Sequence, residues 1–154
     1  MKFHVKLATL VSPFHTDDLF DPTDEVERRE IERLFVERSF RFDETVFQQG
    51  SAPAGVWMIV TGTVVLSRCN SNCEPVFARI VRHGEILGLT ETLAQVPLEA
   101  TLRTVSSCVC EQMDRHGLAK LIQRRPRIRQ RMLTVLAENY GDALARAANV
   151  RQFV

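Results

Sequence analysis

Two closely spaced glycines are the first feature of this chain whose spacing suggests a binding site for an anion. Gly84 and Gly88 bracket Glu85-Ile86-Leu87, and glycines this close together usually mark positive φ or a close backbone approach. A short helix that begins at Gly88 would present free backbone N–H groups, which attract an anion such as a phosphate. On composition alone we favour a loop that only connects two strands, because two glycines make a weak motif.

The cysteines are a second group with potential for metal or redox chemistry. Cys69 and Cys73 flank a turn-like Asn-Ser-Asn, whereas Cys108 and Cys110 would face the same way on a strand. Neither spacing matches the C-x2-C pair that is usual in zinc sites. A four-cysteine metal site and a redox pair at Cys69 and Cys73 remain alternatives to ordinary thiols, and we predict no metal site.

The histidines give no basis for an enzyme. A jelly-roll enzyme of the cupin type needs a cluster of His and carboxylate ligands on facing strands. The four histidines, which form no spaced pair, are His4, His15, His83 and His116. No Ser/His/Asp set is apparent, although the order of residues along a chain does not reveal a triad. We predict that the protein is not an enzyme and has no catalytic residues.

The composition is that of an ordinary globular protein. The chain has 154 residues, of which 45% are hydrophobic and 25% charged, with a net charge of +1, which suits one domain. This balance gives no reason to expect nucleic acid or an anionic membrane as a partner. No apolar run approaches the roughly 18 residues needed to span a bilayer, and the start of the chain does not resemble a secretory signal. We expect a cytoplasmic location and no membrane partner.

The elements that must position these residues begin with a helix. Acidic residues follow Asp21-Pro22-Thr23, and Ile31, Leu34 and Phe35 form an apolar stripe at helical spacing. We therefore predict an amphipathic helix over residues 24–38, with i,i+4 ion pairs on its outer face. The predicted pairs are Arg28 with Glu32 and Arg33 with Glu37.

The middle of the chain, from Arg41 to Met113, changes to short segments rich in β-branched residues and separated by turns. At least six such segments at this spacing predict an all-β sandwich or jelly roll rather than βαβ units. The predicted strands cover residues 46–47, 56–60, 63–66, 76–81, 100–105 and 108–113.

After Met113 the helical period returns. Asp114 can cap a short helix, and Pro126 suits the first turn of a second helix that runs to about Asn149. Apolar residues of the second helix follow the 3-4 spacing of a coiled-coil seam, and its length of about 36 Å exceeds what a small β domain needs. We predict a homodimer through this seam, with part of the helix near Ile128 and Met132 packing on its own chain. The predicted interface residues are Leu133, Leu136, Tyr140, Ala143, Ala147 and Val150.

The order of these elements resembles the cyclic-nucleotide-binding domain of Crp/Fnr-type transcription regulators. The similarity covers about residues 20–150 and includes segments 46–50, 56–64 and 84–88. It implies an α+β, mainly β fold: a double-stranded β-helix or jelly-roll β-roll with an N-terminal helix, a short helix and a long C-terminal dimerisation helix. The implied boundaries are an N-terminal arm (1–20), the β-roll domain (21–125) and the dimerisation helix (126–154).

The segment that corresponds to the ligand-binding cassette of this family, residues 88–100, is altered in this chain. In nucleotide-binding members, a Glu after the second glycine holds the ribose, and an Arg followed by Ser or Thr before an Ala neutralises the phosphate. Here Leu89 follows Gly88, and Leu98-Glu99 precede Ala100. A lost charge-assisted hydrogen bond, worth roughly 1.5–3 kcal/mol, and an added like charge each predict binding at least about tenfold weaker. The candidate ligand-binding residues are Gly88, Leu89, Thr90, Glu91, Leu98, Glu99 and Ala100.

Other positions agree that cAMP and cGMP are not supported as ligands. The helix positions that resemble those supplying hydroxyls to adenine are Ala143 and Leu144. Arg103 could replace the missing arginine, but strand parity places it on the opposite face from Ala100 and Leu102. The cofactor or effector is therefore unknown. An apolar pocket under the cassette, lined by Leu87, Leu89, Val96 and Leu98, would take a weakly polar ligand or be self-filled.

The oxygen- and haem-sensing variants of the resembled family do not fit the residues. No cysteine precedes Cys69, so the N-terminal iron–sulfur cluster is not expected. His83 lies in a predicted turn and His116 at a predicted helix start, where a lone histidine is usually just solvated. The basic run of the C-terminal part is interpreted as a solvated helix face. Its residues are Lys120, Arg124, Arg125, Arg127, Arg129 and Arg131.

We predict the effector-sensing and dimerisation domain of a Crp/Fnr-like transcription regulator, one that does not bind cAMP in the usual mode. The alternative is a small-molecule-binding module that takes a cyclic nucleotide or another ligand in an altered mode. The expected partners are a second copy of the chain and a small-molecule effector. DNA would be bound only through a helix-turn-helix domain, which is expected to be absent from this chain.

Overall fold

A computed structural model of the chain describes residues 14–15, 20, 24–134 and 137. Within them, nine strands form two antiparallel sheets. The strands are β1 (Phe14–His15), β2 (Phe35–Phe40), β3 (Thr45–Phe47), β4 (Gly55–Thr61), β5 (Val64–Cys69), β6 (Pro75–Ile80), β7 (Glu85–Leu87), β8 (Thr101–Thr104) and β9 (Cys108–Asp114). The helices are α1 (Glu25–Leu34), α2 (Leu89–Ala94), α3 (Arg115–Arg124) and α4, which is helical over residues 126–134.

The two sheets pack into a β-roll. The five-stranded sheet has the order β1-β7-β4-β9-β2, and the four-stranded sheet has the order β3-β8-β5-β6. The six strands predicted from sequence are confirmed within one or two residues at most ends. The structure therefore confirms the predicted mainly β fold of the jelly-roll type, and it adds β1, β2 and β7, which the sequence analysis missed.

Two apolar cores lie on opposite faces of the five-stranded sheet, because side chains alternate along each strand. The roll core lies between the two sheets and includes Trp57 and Leu102. The helix core lies between the five-stranded sheet and the helices, and includes Val56, Met113 and Leu121. Each is made of fully or nearly fully buried side chains, so the sheet that carries β7 is fixed from both sides.

The predicted helix over residues 24–38 is wrong at its C-terminal end. Helix α1 begins after Asp24, whose side chain accepts a hydrogen bond from the Glu27 N–H at 2.7 Å, and it ends at Leu34. The next residues form β2 because their backbone pairs with β9 over residues 108–113, and this ladder outweighs a weak local preference for helix.

The two ion pairs predicted on α1 are not found. In the described part of the chain, Arg28 contacts Glu25 instead of Glu32. Arg33 and Glu37 lie on different elements, since Glu37 is on β2, so the helical spacing assumed for them does not apply.

Two further ion pairs tie α1 to the junction between α3 and α4. Arg125 donates to Glu30 Oε2 from both Nε (2.9 Å) and Nη2 (2.6 Å). Arg127 forms an ion pair with Glu27, a carboxylate that is only 5% exposed. The interpretation of the basic run as a solvated face is therefore wrong for Arg125, which is half-buried, whereas Arg127 is paired but still exposed. Their charges are matched by carboxylates that lie 95 and 100 residues earlier in the chain.

Helix α4 begins as the sequence predicts. Ile128 and Met132 are buried in the helix core, with exposed fractions of 0% and 1%. Leu133, the first residue of the predicted dimer seam, points away from this core and is 54% exposed. The other predicted interface residues, and the adenine-facing position Leu144, lie outside the described residues; they are Leu136, Tyr140, Ala143, Ala147 and Val150.

Candidate functional site

The cassette begins at Gly88, where the chain passes from β7 into the short helix α2. The favoured interpretation of the two glycines as a plain connecting loop is therefore wrong. Gly88 is the N-cap residue of α2 and has φ +81°, a conformation that side chains of L-residues rarely adopt. A Cβ at this position would also stand 3.0 Å from the Gly55 carbonyl oxygen. Gly88 therefore allows both the turn into α2 and the close approach of β4.

The segment that leads into β4 closes over the cassette. The Leu98 N–H donates to the Ser51 carbonyl at 2.9 Å, and the Gly50 N–H donates to the Leu98 carbonyl at 2.8 Å. The Thr92 hydroxyl lies 3.1 Å from the Gly55 carbonyl oxygen. These contacts fix both ends of the cassette to residues 50–55.

The apolar residues of the cassette do not line one pocket. Leu89 is 1% exposed and belongs to the helix core, whereas Leu87 belongs to the roll core on the other face of the sheet. Leu98 is 5% exposed, and its Cδ2 lies 3.9 Å from the position of a Cβ on Gly88. Leu98 thus packs inside the cassette against the start of α2, and Val96 is half-buried. Leu87 and Leu89 therefore face different cores and do not share one lining, and the packing of Leu98 agrees with the self-filled alternative.

Two carboxylates lie close together in the cassette. Burial is the main cause that raises the pKa of Glu91, and the negative charge of Glu99 raises it further. Hydrogen bonding to the backbone of Glu91 and Glu99 acts in the opposite direction and lowers this pKa. The hydroxyl of Thr90 is buried and has no hydrogen-bond partner among the described residues. The segment from Gly88 to Ala100 therefore contains two carboxyl groups and no Lys or Arg.

The pKa of Glu91 predicts how stability depends on pH. Because the pKa is raised above its ordinary value of 4.5, the folded protein holds this proton more tightly than the unfolded chain does. The stabilisation is fully present below pH 4.5 and is lost as the pH rises through the folded-state pKa. We expect Glu91→Gln to raise the unfolding free energy relative to wild type at pH 7, and the gain to shrink towards pH 4.

Urea denaturation of wild type and Glu91→Gln between pH 4 and pH 7.5 measures this difference. Glu32→Gln on the exposed face of α1 is the control for the loss of one carboxylate. A Glu91→Gln gain that stays constant across the pH range, or that Glu32→Gln reproduces, would contradict the assignment.

Arg103 does not enter the cassette. It is exposed on β8, while its neighbour Leu102 is fully buried in the roll core, as strand parity predicts. Its Nε donates to Asp43 Oδ1 at 2.7 Å, and the hydrogen bond from Arg103 lowers the pKa of Asp43. The structure therefore gives this arginine a partner on the outside of the roll.

A buried ion pair between Arg79 and Glu85 is the main feature that the sequence analysis missed. Arg79 Nη2 lies 2.9 Å from Glu85 Oε2, and the Glu85 side chain is 1% exposed. The Arg82 N–H also donates to Glu85 Oε1 at 2.7 Å. Since Arg79 is on β6 and Glu85 on β7, the pair joins the two sheets just before the cassette. The alternation Phe77, Arg79, Val81 in the sequence was the available signal for an inward arginine.

Among the described residues, the thiols and histidines do not form a metal or redox centre. Cys108 and Cys110 are buried in the roll core, as their shared strand face predicts, and burial with the neighbouring Cys108 raises the pKa of Cys110 to about 11. Cys69 and Cys73 are free thiols at a hairpin. Across the described residues, no three His, Cys, Asp or Glu side chains are placed so that they could hold a metal ion. Nor does that part of the chain contain a helix long and apolar enough to cross a bilayer.

Comparison with known proteins agrees with this geometry. The family model described as the cyclic nucleotide-binding domain matches residues 37–125. The HTH-type transcriptional regulator Cmr of Mycobacterium tuberculosis is 24% identical over 135 residues, which are 88% of this chain and 51% of that protein. Sodium/hydrogen exchanger 7 of Arabidopsis thaliana is 35% identical over 82 residues, which are 50% of this chain and 7% of that protein.

Among solved structures, the catabolite activator protein of Thermus thermophilus superposes with a TM-score of 0.73 at 19% identity, covering 87% of this chain and 63% of that one. At this identity the likeness shows the fold alone. The chain spans about half of the mycobacterial regulator and a small part of the exchanger, so the whole activity of neither protein follows for it.

Proposed function

The chain belongs to the cyclic nucleotide-binding domain family. From that premise we propose that it is the effector-sensing and dimerisation domain of a Crp/Fnr-like transcription regulator. In this proposal the domain does not bind cAMP through the usual cassette contacts. In this proposal the domain is a cytoplasmic binding module rather than an enzyme. DNA would be contacted by a separate helix-turn-helix domain, as the description of the mycobacterial relative suggests.

The observation that carries the proposal is the packing of Leu98 inside the cassette. An apolar side chain lies against Gly88 in the position that resembles that of the phosphate-neutralising arginine. Glu91 and Glu99 add negative charge beside it. A phosphate bound through the usual cassette contacts would lose water without gaining a cation from residues 88–100, which is unfavourable. Leu89 cannot substitute for the ribose-binding Glu either, because its side chain is buried in the helix core.

A thermal-shift titration tests the proposal. A ligand at 100 times its Kd stabilises by about 2.7 kcal/mol, which in a domain of this size raises Tm by roughly 5–10 °C. We expect millimolar cAMP and cGMP to leave Tm unchanged. A saturable rise in Tm with cAMP would overturn the proposed loss of nucleotide binding.

A cassette variant sharpens the same experiment. The double substitution Leu98→Arg with Glu99→Ser introduces the arginine and hydroxyl that the cassette of nucleotide-binding family members uses. Leu98→Met with Glu99→Ser is the matched control, because it removes the same carboxylate but adds no cation. A cAMP shift in the arginine variant alone would identify the cassette residues as the cause.

The proposed dimer is supported by the exposure of Leu133 on a helix whose opposite face is buried. An apolar side chain that is 54% exposed at the start of a coiled-coil pattern fits a partner helix. Sedimentation equilibrium would detect the dimer, and Leu133→Glu is expected to weaken it. A wild-type chain that stays monomeric at tens of micromolar would contradict this part of the proposal.

A further inference from the structure

We propose that Arg68 on β5 is the cationic residue of an oxyanion-binding site at the mouth of the β-roll, beside the end of the cassette. This proposal rests on the proposed function and adds a ligand class to it. The ligand would be a small molecule that carries a phosphate or carboxylate group. The cation would come from the four-stranded sheet instead of the cassette.

The alternation of β5 places Arg68 on the inner side of the roll. Val64 and Leu66 belong to the roll core, with exposed fractions of 0% and 4%. Alternate residues of a strand share a face, so Arg68 follows Leu66 on that face. Arg68 is half-buried, at the end of the strand where the burial pattern opens towards solvent.

The pairing of β5 places Arg68 next to the cassette. Ser67 pairs with Thr101 of β8, so the following position on β5 lies beside Ala100, the last residue of the cassette. On its other side, Arg68 pairs with Phe77 of β6. Arg68 therefore occupies a strand position next to the end of the cassette. The cassette has no cation there, because Leu98 and Glu99 occupy the positions before Ala100.

The charge of Arg68 is unmatched within the described residues, where it makes no ion pair. The two neighbouring strands show the contrast. Arg79 on β6 is paired with Glu85, and Arg103 on β8 is paired with Asp43. A half-buried cation without a counter-charge is less favourable than a paired one, and a guanidinium presents N–H groups in a fork that fits the oxygens of phosphate or carboxylate. An oxyanion is therefore the ligand that this position favours.

The test is calorimetric titration of the chain at constant ionic strength with two probes, sodium pyrophosphate and sodium citrate. We expect saturable binding of at least one probe, and the preferred probe distinguishes a phosphate ligand from a carboxylate ligand. Arg68→Met should weaken that binding at least about tenfold. Arg68→Lys, which keeps the charge but not the fork, should fall between wild type and Arg68→Met.

The matched control is Arg103→Met, which removes an arginine from the outer face of the same sheet and should leave binding unchanged. Melting curves of each variant verify that it is folded. No saturable binding of either probe to wild type, or equal binding by wild type and Arg68→Met, would overturn the site. A Tm rise with cAMP that persists in Arg68→Met would instead defeat the proposed function alone, because pyrophosphate and citrate contain neither purine nor ribose.

Discussion

Replacement of Gly55 with alanine is expected to lower the free energy of unfolding by about 3–6 kcal/mol and the Tm by roughly 10 °C or more. Gly55 has φ +152°, a region that is open essentially to glycine alone. A Cβ there would stand 2.1 Å from the Met113 carbonyl oxygen and 2.7 Å from the Asp114 Cα. Both neighbours are backbone atoms of the paired strand β9, so they cannot move aside as a flexible side chain would.

The same substitution should disturb the candidate site. The Gly55 carbonyl oxygen lies 3.1 Å from the Thr92 hydroxyl of α2, and Gly88 packs against the same oxygen. A displaced Gly55 would therefore move the start of α2 as well as the edge of β4. Amide shifts in an ¹⁵N spectrum of a folded Gly55→Ala sample should be largest in residues 88–94.

Gly50→Ala separates backbone strain from the steric clash. Gly50 also has positive φ (+87°), but nothing lies within 4 Å of its added Cβ. Its expected cost is about 1–2 kcal/mol, from the left-handed conformation alone. Urea denaturation of the two variants side by side measures the difference. If Gly55→Ala cost no more than Gly50→Ala, the close approach of β9 to β4 would be wrong.

The elements that could be predicted from sequence are those set by local pattern. Asp114 was identified as the cap of α3, where its side chain accepts from the Gly117 N–H at 2.6 Å. The glycine spacing allowed a helix that begins at Gly88, where α2 does begin, but favoured a plain loop. Alternation of apolar residues placed most strands. The pattern assigned residues 35–38 to a helix, because Phe35 fits the apolar stripe of a helix as well as it fits an alternating strand. Only pairing with β9, more than 70 residues later, decides between them.

The polar contacts of the site could not be predicted because they join residues that only the sheet order brings together. Glu27 with Arg127 and Arg79 with Glu85 were visible as charges but not as pairs. Their positions depend on which strand or helix lies beside which. A run of arginines reads as a solvated face until a helix from the other end of the chain supplies carboxylates to it. The same holds for Arg68, whose place beside the cassette follows from the register of β5 with β8.

The ion pair between Arg79 and Glu85 is expected to be the most costly polar contact to break near the cassette. Glu85→Met should lower the free energy of unfolding by about 3–5 kcal/mol, because it leaves Arg79 without its partner in a largely buried place. Arg79→Met should have a similar effect, since Glu85 is 1% exposed and would keep only the Arg82 N–H and its negative charge. The measurement is the urea midpoint and slope for each variant at pH 7.

The double variant Arg79→Met with Glu85→Met distinguishes pairing from mere packing. If the cost of each single variant is the penalty of an uncompensated buried charge, removal of both charges should cost less than the sum by about 2 kcal/mol or more. Additive single effects would mean that the two side chains act independently, and the proposed link between the two sheets through this ion pair would be wrong.

The exposed pair Arg103 with Asp43 on the outside of the roll is the matched control. There the cycle uses Arg103→Met and Asp43→Asn, because Asp43 has φ +65° and asparagine tolerates that conformation. The coupling energy between the two positions should be below about 1 kcal/mol, because water screens an exposed pair. A large coupling confined to Arg79 and Glu85 would therefore identify this pair as the contact that holds β6 against β7 at the entrance to the cassette.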